Sequence, residues 1–368
     1  MEKKWWIIIP IIGIVLIITI IIFLKSASPS LGPQSYPSEL TTCKTLSYNG
    51  ENKINLVFIS DKSTAEEYSS YLLDNEPYKT KKENFNIFYI DSINPECELY
   101  KGIAILCYSK DLVKKASSCP NDYTIVVKEE PSNIRSSAYM NVLSINSNHP
   151  ESVILHEFGH SFANLAEEYT PAKIPRKSKN CVSSCDEFNI NDGCFEGCSQ
   201  ENYKRSIESG VMRTLSTSNY GDFNNQLISQ KIQQESTSSI TGQAIHLEKD
   251  CTKEQYYLIQ GQYNQNNINI LDTTIEQGCI GKNRAGDLDY NIIMNDNSII
   301  SKGEFNAEFI FTESPGENQI DGEVYESDRN FLLKIPIIDN SQSLEILENN
   351  NLISQVNINE IGGTFCKK

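Results

Sequence analysis

His156-Glu157-Phe158-Gly159-His160-Ser161-Phe162-Ala163-Asn164-Leu165-Ala166-Glu167-Glu168-Tyr169 is the stretch on which the reading of this chain turns. It opens with HExxH. On a helix, residues four apart share a face, so His156 and His160 can present both imidazoles to one Zn²⁺. Glu157 follows the first histidine directly, where its carboxylate reaches a water at the metal without itself binding the ion.

So short a pattern also arises by chance, and its neighbourhood decides. Pro150 suits the first position of a helix, and Glu151 puts negative charge in the first turn, where the helix dipole favours it. Ile154, Leu155, Phe158, Phe162 and Leu165 form an apolar stripe at helical spacing. The chain has four histidines, His149, His156, His160 and His246, and two of them flank a glutamate at i and i+4. Upstream, Ala138–Ile145 reads as a strand, and an extended substrate can be held against such an edge by β-augmentation.

A catalytic zinc takes three protein ligands and keeps a fourth position open. Metzincins carry a third histidine six residues after the second, but Ala166 stands there in this chain. The third ligand therefore falls to Glu167 or Glu168. On a continuous helix Glu167 would lie roughly 10 Å further along the axis than His160, too far to share an ion. A break between them is required, and Asn164, which tolerates the left-handed conformation, is placed to supply it. This turn chemistry favours Glu167, with Glu168 as the alternative.

The whole string resembles the immunoglobulin A peptidase family of zinc metallopeptidases, whose pattern is approximately HEFGHSFxxLADEY. The resemblance extends upstream through Ile54–Asp61, Glu76-Pro77-Tyr78 and Phe85–Ile90. Downstream, Val211-Met212-Arg213 looks like the Met-turn of metzincin-like enzymes. Glu167 stands where the family usually has Asp, and Asn164 where Gly is common. The resemblance implies a metzincin-like, α/β zincin domain that binds Zn²⁺ and hydrolyses peptide bonds. Glu157 would be its general base, and Met212 an apolar floor beneath the ligands. An ordinary core methionine is the alternative for Met212. Tyr220 is a candidate hydrogen-bond donor to the oxyanion, against the alternative of a plain surface tyrosine.

Trp5–Leu24 is an uncharged apolar run long enough to span a bilayer as a helix. Lys3 and Lys4 precede it, Lys25 follows, and Trp5 and Trp6 suit the interface. It reads as a single-pass signal anchor that leaves the rest of the chain outside the cytosol, with a cleaved signal and a secreted protein as the alternative. Eleven cysteines fit an exported chain in which they pair as disulfides. Cys181, Cys185, Cys194 and Cys198 form the densest group, expected to make two disulfides that pin the loop between the histidine helix and Met212. A four-cysteine zinc is the alternative, although the spacing departs from the usual knuckles. The net charge of −16 argues against nucleic-acid binding. Lys79–Lys82 and Lys110–Lys115 read as solvated faces.

The domain reading runs from a cytoplasmic tip (1–4) and the anchor (5–24) through a Ser/Pro-rich stalk (25–41) to a catalytic domain (42–235). An all-β sandwich follows (236–368). Strands are expected over Ile54–Ser60, Phe85–Ile90 and Tyr123–Lys128, and helices over Thr64–Leu73 and Asp111–Ser117. Gln233–Gln243 reads as a linker. Beyond it, Tyr256–Tyr263, Asn267–Leu271, Tyr290–Met294, Phe305–Thr312, Phe331–Pro336, Leu344–Leu347 and Leu352–Ile358 are expected strands. The function this implies is a membrane-anchored zinc metalloendopeptidase acting on a protein or peptide substrate. Two alternatives are a surface adhesion protein that has lost catalysis and a zinc amidase acting on cell-wall peptide.

Overall fold

Strands that are apolar on both sides need cover on both sides, and that requirement organises the first half of the molecule. A computed structural model describes residues 40–188, 193–237, 250–264, 267–281, 284–286, 288–305, 309–312, 324–327 and 329–358. The first strands are β1 (Lys44–Ser47), β2 (Ile54–Ile59) and β3 (Phe85–Ile90), then β4 (Glu98–Tyr100), β5 (Ala104–Leu106), β6 (Tyr123–Lys128), β7 (Ser137–Tyr139) and β8 (Val142–Asn146). The helices are α1 (Lys62–Asp74), α2 (Lys110–Ala116), α3 (Ser152–Ala163) and α4 (Asp222–Thr237), with a 3-10 turn at Lys79–Asn84.

Six strands form one sheet in the order β1-β3-β2-β6-β8-β7. The inner four are parallel, whereas β1 and β7 run antiparallel at the two ends. Leu56, Phe58, Ile87, Tyr89, Ile125, Leu143 and Ile145 face α1, α3 and α4. Their neighbours Val57, Ile59, Phe88, Ile90, Val126 and Val142 face the other way, onto Ile105 of the β4–β5 hairpin and Leu112 of α2. Two disulfides, Cys43–Cys119 and Cys97–Cys107, fasten that second layer.

The expected strand over Ala138–Ile145 proves to be a hairpin. Met140 takes a left-handed φ of 53°, and Asn141 donates to the Asp122 carbonyl at 3.0 Å, so the chain reverses there and β7 pairs back on β8. Helix α3 begins at Ser152 rather than Pro150. Pro150 and Glu151 form the turn before it, their carbonyls accepting from Val153 and Ile154 at 2.9 and 3.0 Å. The linker assigned to Gln233–Gln243 begins inside α4, which runs to Thr237 because Ile228, Ile232 and Glu235 bury one helical face; residues 238–249 lie outside the described residues.

Downstream come the hairpin β9 (Phe195–Cys198) and β10 (Gln200–Arg205), then β11 (Gln255–Asn264), β12 (Asn267–Gln277), β13 (Arg284–Ala285), β14 (Leu288–Met294) and β15 (Ile299–Phe305). The last strands are β16 (Phe309–Thr312), β17 (Val324–Ser327), β18 (Arg329–Pro336), β19 (Ser341–Glu348) and β20 (Asn351–Asn357). Of the strand expected over Phe305–Thr312, Phe305 lies in β15 and Phe309–Thr312 form β16, while residues 306–308 lie outside the described residues. Sheet β12-β11-β18 and sheet β13-β15-β14-β19-β20 share one core, in which Tyr257, Ile259, Phe331 and Leu333 meet Tyr290, Ile292, Phe305, Leu344 and Ile346.

The opposite face of the three-stranded sheet packs on the first half of the chain. Tyr256, Leu258 and Leu332 meet Val113 of α2, and the Tyr108 hydroxyl accepts from Leu332 N–H at 2.7 Å. A Cβ on Gly281 would come within 1.6 Å of the Asn121 carbonyl oxygen, so only glycine permits that approach. Lys110 and Lys114, expected to be solvated, instead pair with Asp272 and Glu276 of β12 at 2.9 and 2.8 Å. The α/β and β-rich regions both lie within one compact unit, Ser38–Lys368. Among the described residues no helix is long and apolar enough to cross a membrane. Trp5–Leu24 and the stalk through Glu39 lie outside them.

Candidate metal centre

Helix α3 is buried along nearly its whole length, His156 and Glu157 included, whereas His160 is only partly buried. The helix repeat brings His156 Nε2 and His160 Nε2 within 3.2 Å. Each ring is fixed from behind. His156 Nδ1–H donates to the Val211 carbonyl at 2.9 Å, and His160 Nδ1–H donates to the Leu165 carbonyl at 2.7 Å. A carbonyl only accepts, so both Nδ1 atoms carry a proton, and Nε2 is the ring nitrogen each histidine can offer to a metal by giving up any proton there.

Asn164 ends the helix with φ 51° and ψ 39°, left-handed geometry that Asn tolerates. The chain turns back over the helix end, where Leu165 N–H reaches the Gly159 carbonyl at 3.1 Å. That return carries Glu167 to the histidines: Oε1 lies 3.2 Å from His160 Nε2 and Oε2 lies 3.4 Å from His156 Nε2. Glu167 Oε2 is buried and has no hydrogen-bond partner. Two imidazole nitrogens and a carboxylate, facing one point with an otherwise orphaned acceptor, are a donor set that fits a divalent ion such as zinc. Burial opposes ionisation of Glu167, but the adjacent His160 and His156 hold it well below the usual carboxylate range. Burial likewise disfavours the charged form of His156, yet Glu167 and Glu157 raise it to about 9.

Glu168 points elsewhere. Its N–H donates to the Met212 carbonyl at 2.9 Å, and its Oε1 accepts from Asn224 and Asn180 at 2.7 and 3.3 Å. It is wholly buried, and burial pushes its carboxyl up to about 7. Adjacent residues in this stretch thus point different ways, Glu167 to the histidines and Glu168 to Asn224 and Asn180.

Glu157 is only 7 % exposed. Burial raises its carboxyl above the ordinary range, opposed by the neighbouring histidines. Met212 is fully buried in a turn closed by Arg213 N–H on the Gly210 carbonyl at 2.9 Å. Its sulfur lies 2.7 Å from where a Cβ on Gly159 would stand, so it packs against α3 between the two histidines. Tyr220 is fully buried. Its hydroxyl donates to the Leu155 carbonyl and lies 3.4 Å from the Tyr78 hydroxyl, deep in the core beneath α3. Buried and bonded there, Tyr220 neither donates to an oxyanion nor lies at the surface.

Two residues that sequence reading passed over stand at the centre. Arg135, just ahead of β7, donates to the Tyr169 hydroxyl at 3.4 Å. Burial disfavours its charge, but Tyr169, Glu167 and Glu157 more than restore it. Burial, then the Glu167 carboxylate, raises the Tyr169 phenol. Tyr169 ends the motif string and was open to notice there; Arg135 carries no local signal. His149 lies apart, its ring between Ser136 Oγ and the Ser132 carbonyl at 3.3 and 3.2 Å. His246 lies outside the described residues.

The loop between Glu168 and Met212 carries nested disulfides, Cys181–Cys198 around Cys185–Cys194. A fifth bond, Cys251–Cys279, braces the start of the β-rich region. No protein-family model matches the chain, and no curated protein matches it.

Proposed function

We propose that this protein is a zinc-dependent metalloendopeptidase acting outside the cytosol. The observation that carries the reading is the convergence of His156 Nε2, His160 Nε2 and the buried Glu167 carboxylate, with buried Glu157 beside the first histidine in the same helix. The likeness of the helix string to the immunoglobulin A peptidase family supports it. Bound Zn²⁺ would polarise the scissile carbonyl and lower the pKa of a water. Glu157 accepts the proton of the attacking water and passes it to the leaving amine, a task suited to a carboxyl that burial raises above its ordinary value. His156, His160 and Glu167 are the ligands, and Met212 packs under the helix that holds the first two.

Disulfides joining ten cysteines support an oxidising compartment. The apolar run Trp5–Leu24 supports a membrane anchor. The test is elemental analysis of the purified full chain together with assay on protein and cell-wall peptide substrates. Stoichiometric zinc and cleavage of protein substrates are expected. A chain without metal would sink the reading, and cleavage confined to cell-wall peptide would reassign the substrate class.

A further inference from the structure

Helix α3 cannot orient Glu167, because the chain has left the helix at Asn164. The backbone groups of Ala166 and Glu167 consequently have no helical partners, and buried polar groups require others. Those partners come from the two ends of the disulfide-pinned loop. The Asn180 side chain accepts from Ala166 N–H at 2.7 Å and donates to the Ala166 carbonyl at 2.9 Å, as a neighbouring peptide would in a sheet. Ser199 Oγ donates to the Glu167 carbonyl at 2.7 Å. The Cys181–Cys198 bond joins these ends and packs against Ala166, with both sulfurs 3.7 to 4.0 Å from the Glu167 carbonyl oxygen. Asn180 and Ser199 are themselves fully buried.

We propose that Asn180 and Ser199, held together by the Cys181–Cys198 disulfide, are positioning residues that set the direction of the Glu167 carboxylate and hence the affinity of the metal centre. The inference rests on the zinc reading above and adds to it a dependence on the disulfide loop. None of the three groups touches the ligand oxygens. They fix the peptide planes on either side of the Glu167 Cα, and a ligand whose backbone is free to rotate loses the preorganisation that makes three donors bind as one. The nested disulfides then serve the metal centre and not only the stability of a long loop.

The experiment measures Zn²⁺ affinity of the full chain by chelator competition, and the visible spectrum of the same chain loaded with Co²⁺. The variants are Asn180→Ala, Ser199→Ala and Asn86→Ala. Asn86 is a comparably buried asparagine in β3 that bonds to Gly50 and Asn55 at 2.9 Å each, away from the histidines. It supplies the control for plain loss of stability. Asn180→Ala is expected to weaken Zn²⁺ by about 10–100-fold and to change the Co²⁺ bands, since altered outer contacts carry losses of that order. Ser199→Ala is expected to show a smaller loss in the same direction, and it decides the matter on the same readouts if Asn180→Ala does not fold. Asn86→Ala should lower the melting temperature and leave both metal readouts as in the wild type. Wild-type affinity and an unchanged Co²⁺ spectrum in Asn180→Ala would overturn the inference, as would equal metal loss in Asn86→Ala. A wild-type chain that binds no metal at all would defeat the zinc reading and this inference with it.

Discussion

Two stretches build the candidate centre, and they hold the proposed ligands by different means. Helix α3 places His156 and His160 through its own repeat, and each ring needs one carbonyl behind it. The stretch from Asn164 to Tyr169 places Glu167 only with outside help, from Asn180, Ser199 and the Met212 turn. A ligand on a regular element is fixed by local spacing. A ligand on a returning chain is fixed by residues far away in sequence, and it can be weakened from a distance.

The largest effects are expected on the helix. His156→Ala removes a ligand from the rigid pair, and zinc should fall below detection in elemental analysis of the purified full chain; retained stoichiometric zinc would move the site elsewhere. Glu157→Gln keeps the shape and removes the base. It should retain zinc and lose at least about 10²-fold in peptide hydrolysis. Near-normal turnover would show that the proton is taken by another group.

The next effect contrasts the adjacent glutamates after the helix. Glu167→Ala should weaken zinc strongly, because it removes one of three donors. Glu168→Ala should leave zinc affinity nearly intact and lower the melting temperature, since it strips Asn224 and Asn180 of a buried partner. Chelator competition and thermal unfolding on both variants check this. Greater metal loss in Glu168→Ala would reverse the facing of the two side chains.

The same division governs what could be read from the chain alone. Strands buried on both sides are legible because β2 and β3 have no polar face to confuse them. Asn164 is legible as the break because its chemistry is local. Tyr220 is misread because nothing near it in sequence reveals that its hydroxyl is taken up by the Leu155 carbonyl under α3. Lys110 and Lys114 look solvated until β12 brings Asp272 and Glu276 against them. Arg135 is invisible for the same reason, as its neighbour Tyr169 lies beyond the whole of α3. Short polar strands such as β9 and β10 carry no apolar period, and only the disulfides and pairing of the loop define them.

The smallest expected effect lies at the junction of the two stretches, and it tests the break itself. Asn164 contributes two separable things: a left-handed backbone, and a hydrogen bond from Nδ2 to the Arg176 carbonyl at 2.8 Å. Asn164→Gly keeps the first and loses the second. Asn164→Ala loses the second and strains the first, at roughly 1–2 kcal/mol for an L-residue held left-handed. The lost hydrogen bond is common to both and is worth about 0.5–1.5 kcal/mol. Glycine adds unfolded-state entropy of about 0.4–1 kcal/mol relative to alanine, which partly offsets its backbone advantage. Asn164→Gly should therefore be modestly less stable than wild type and Asn164→Ala equal to it or slightly worse. Zinc affinity should separate the two more clearly than stability does. Glycine lets Glu167 return along the same path, whereas alanine can relieve its strain by unwinding the turn and drawing the carboxylate away. Denaturant unfolding and chelator competition on the pair measure the two quantities independently. Equal zinc loss in both would show that the contact with Arg176, and not the handedness of residue 164, returns Glu167 to the histidines.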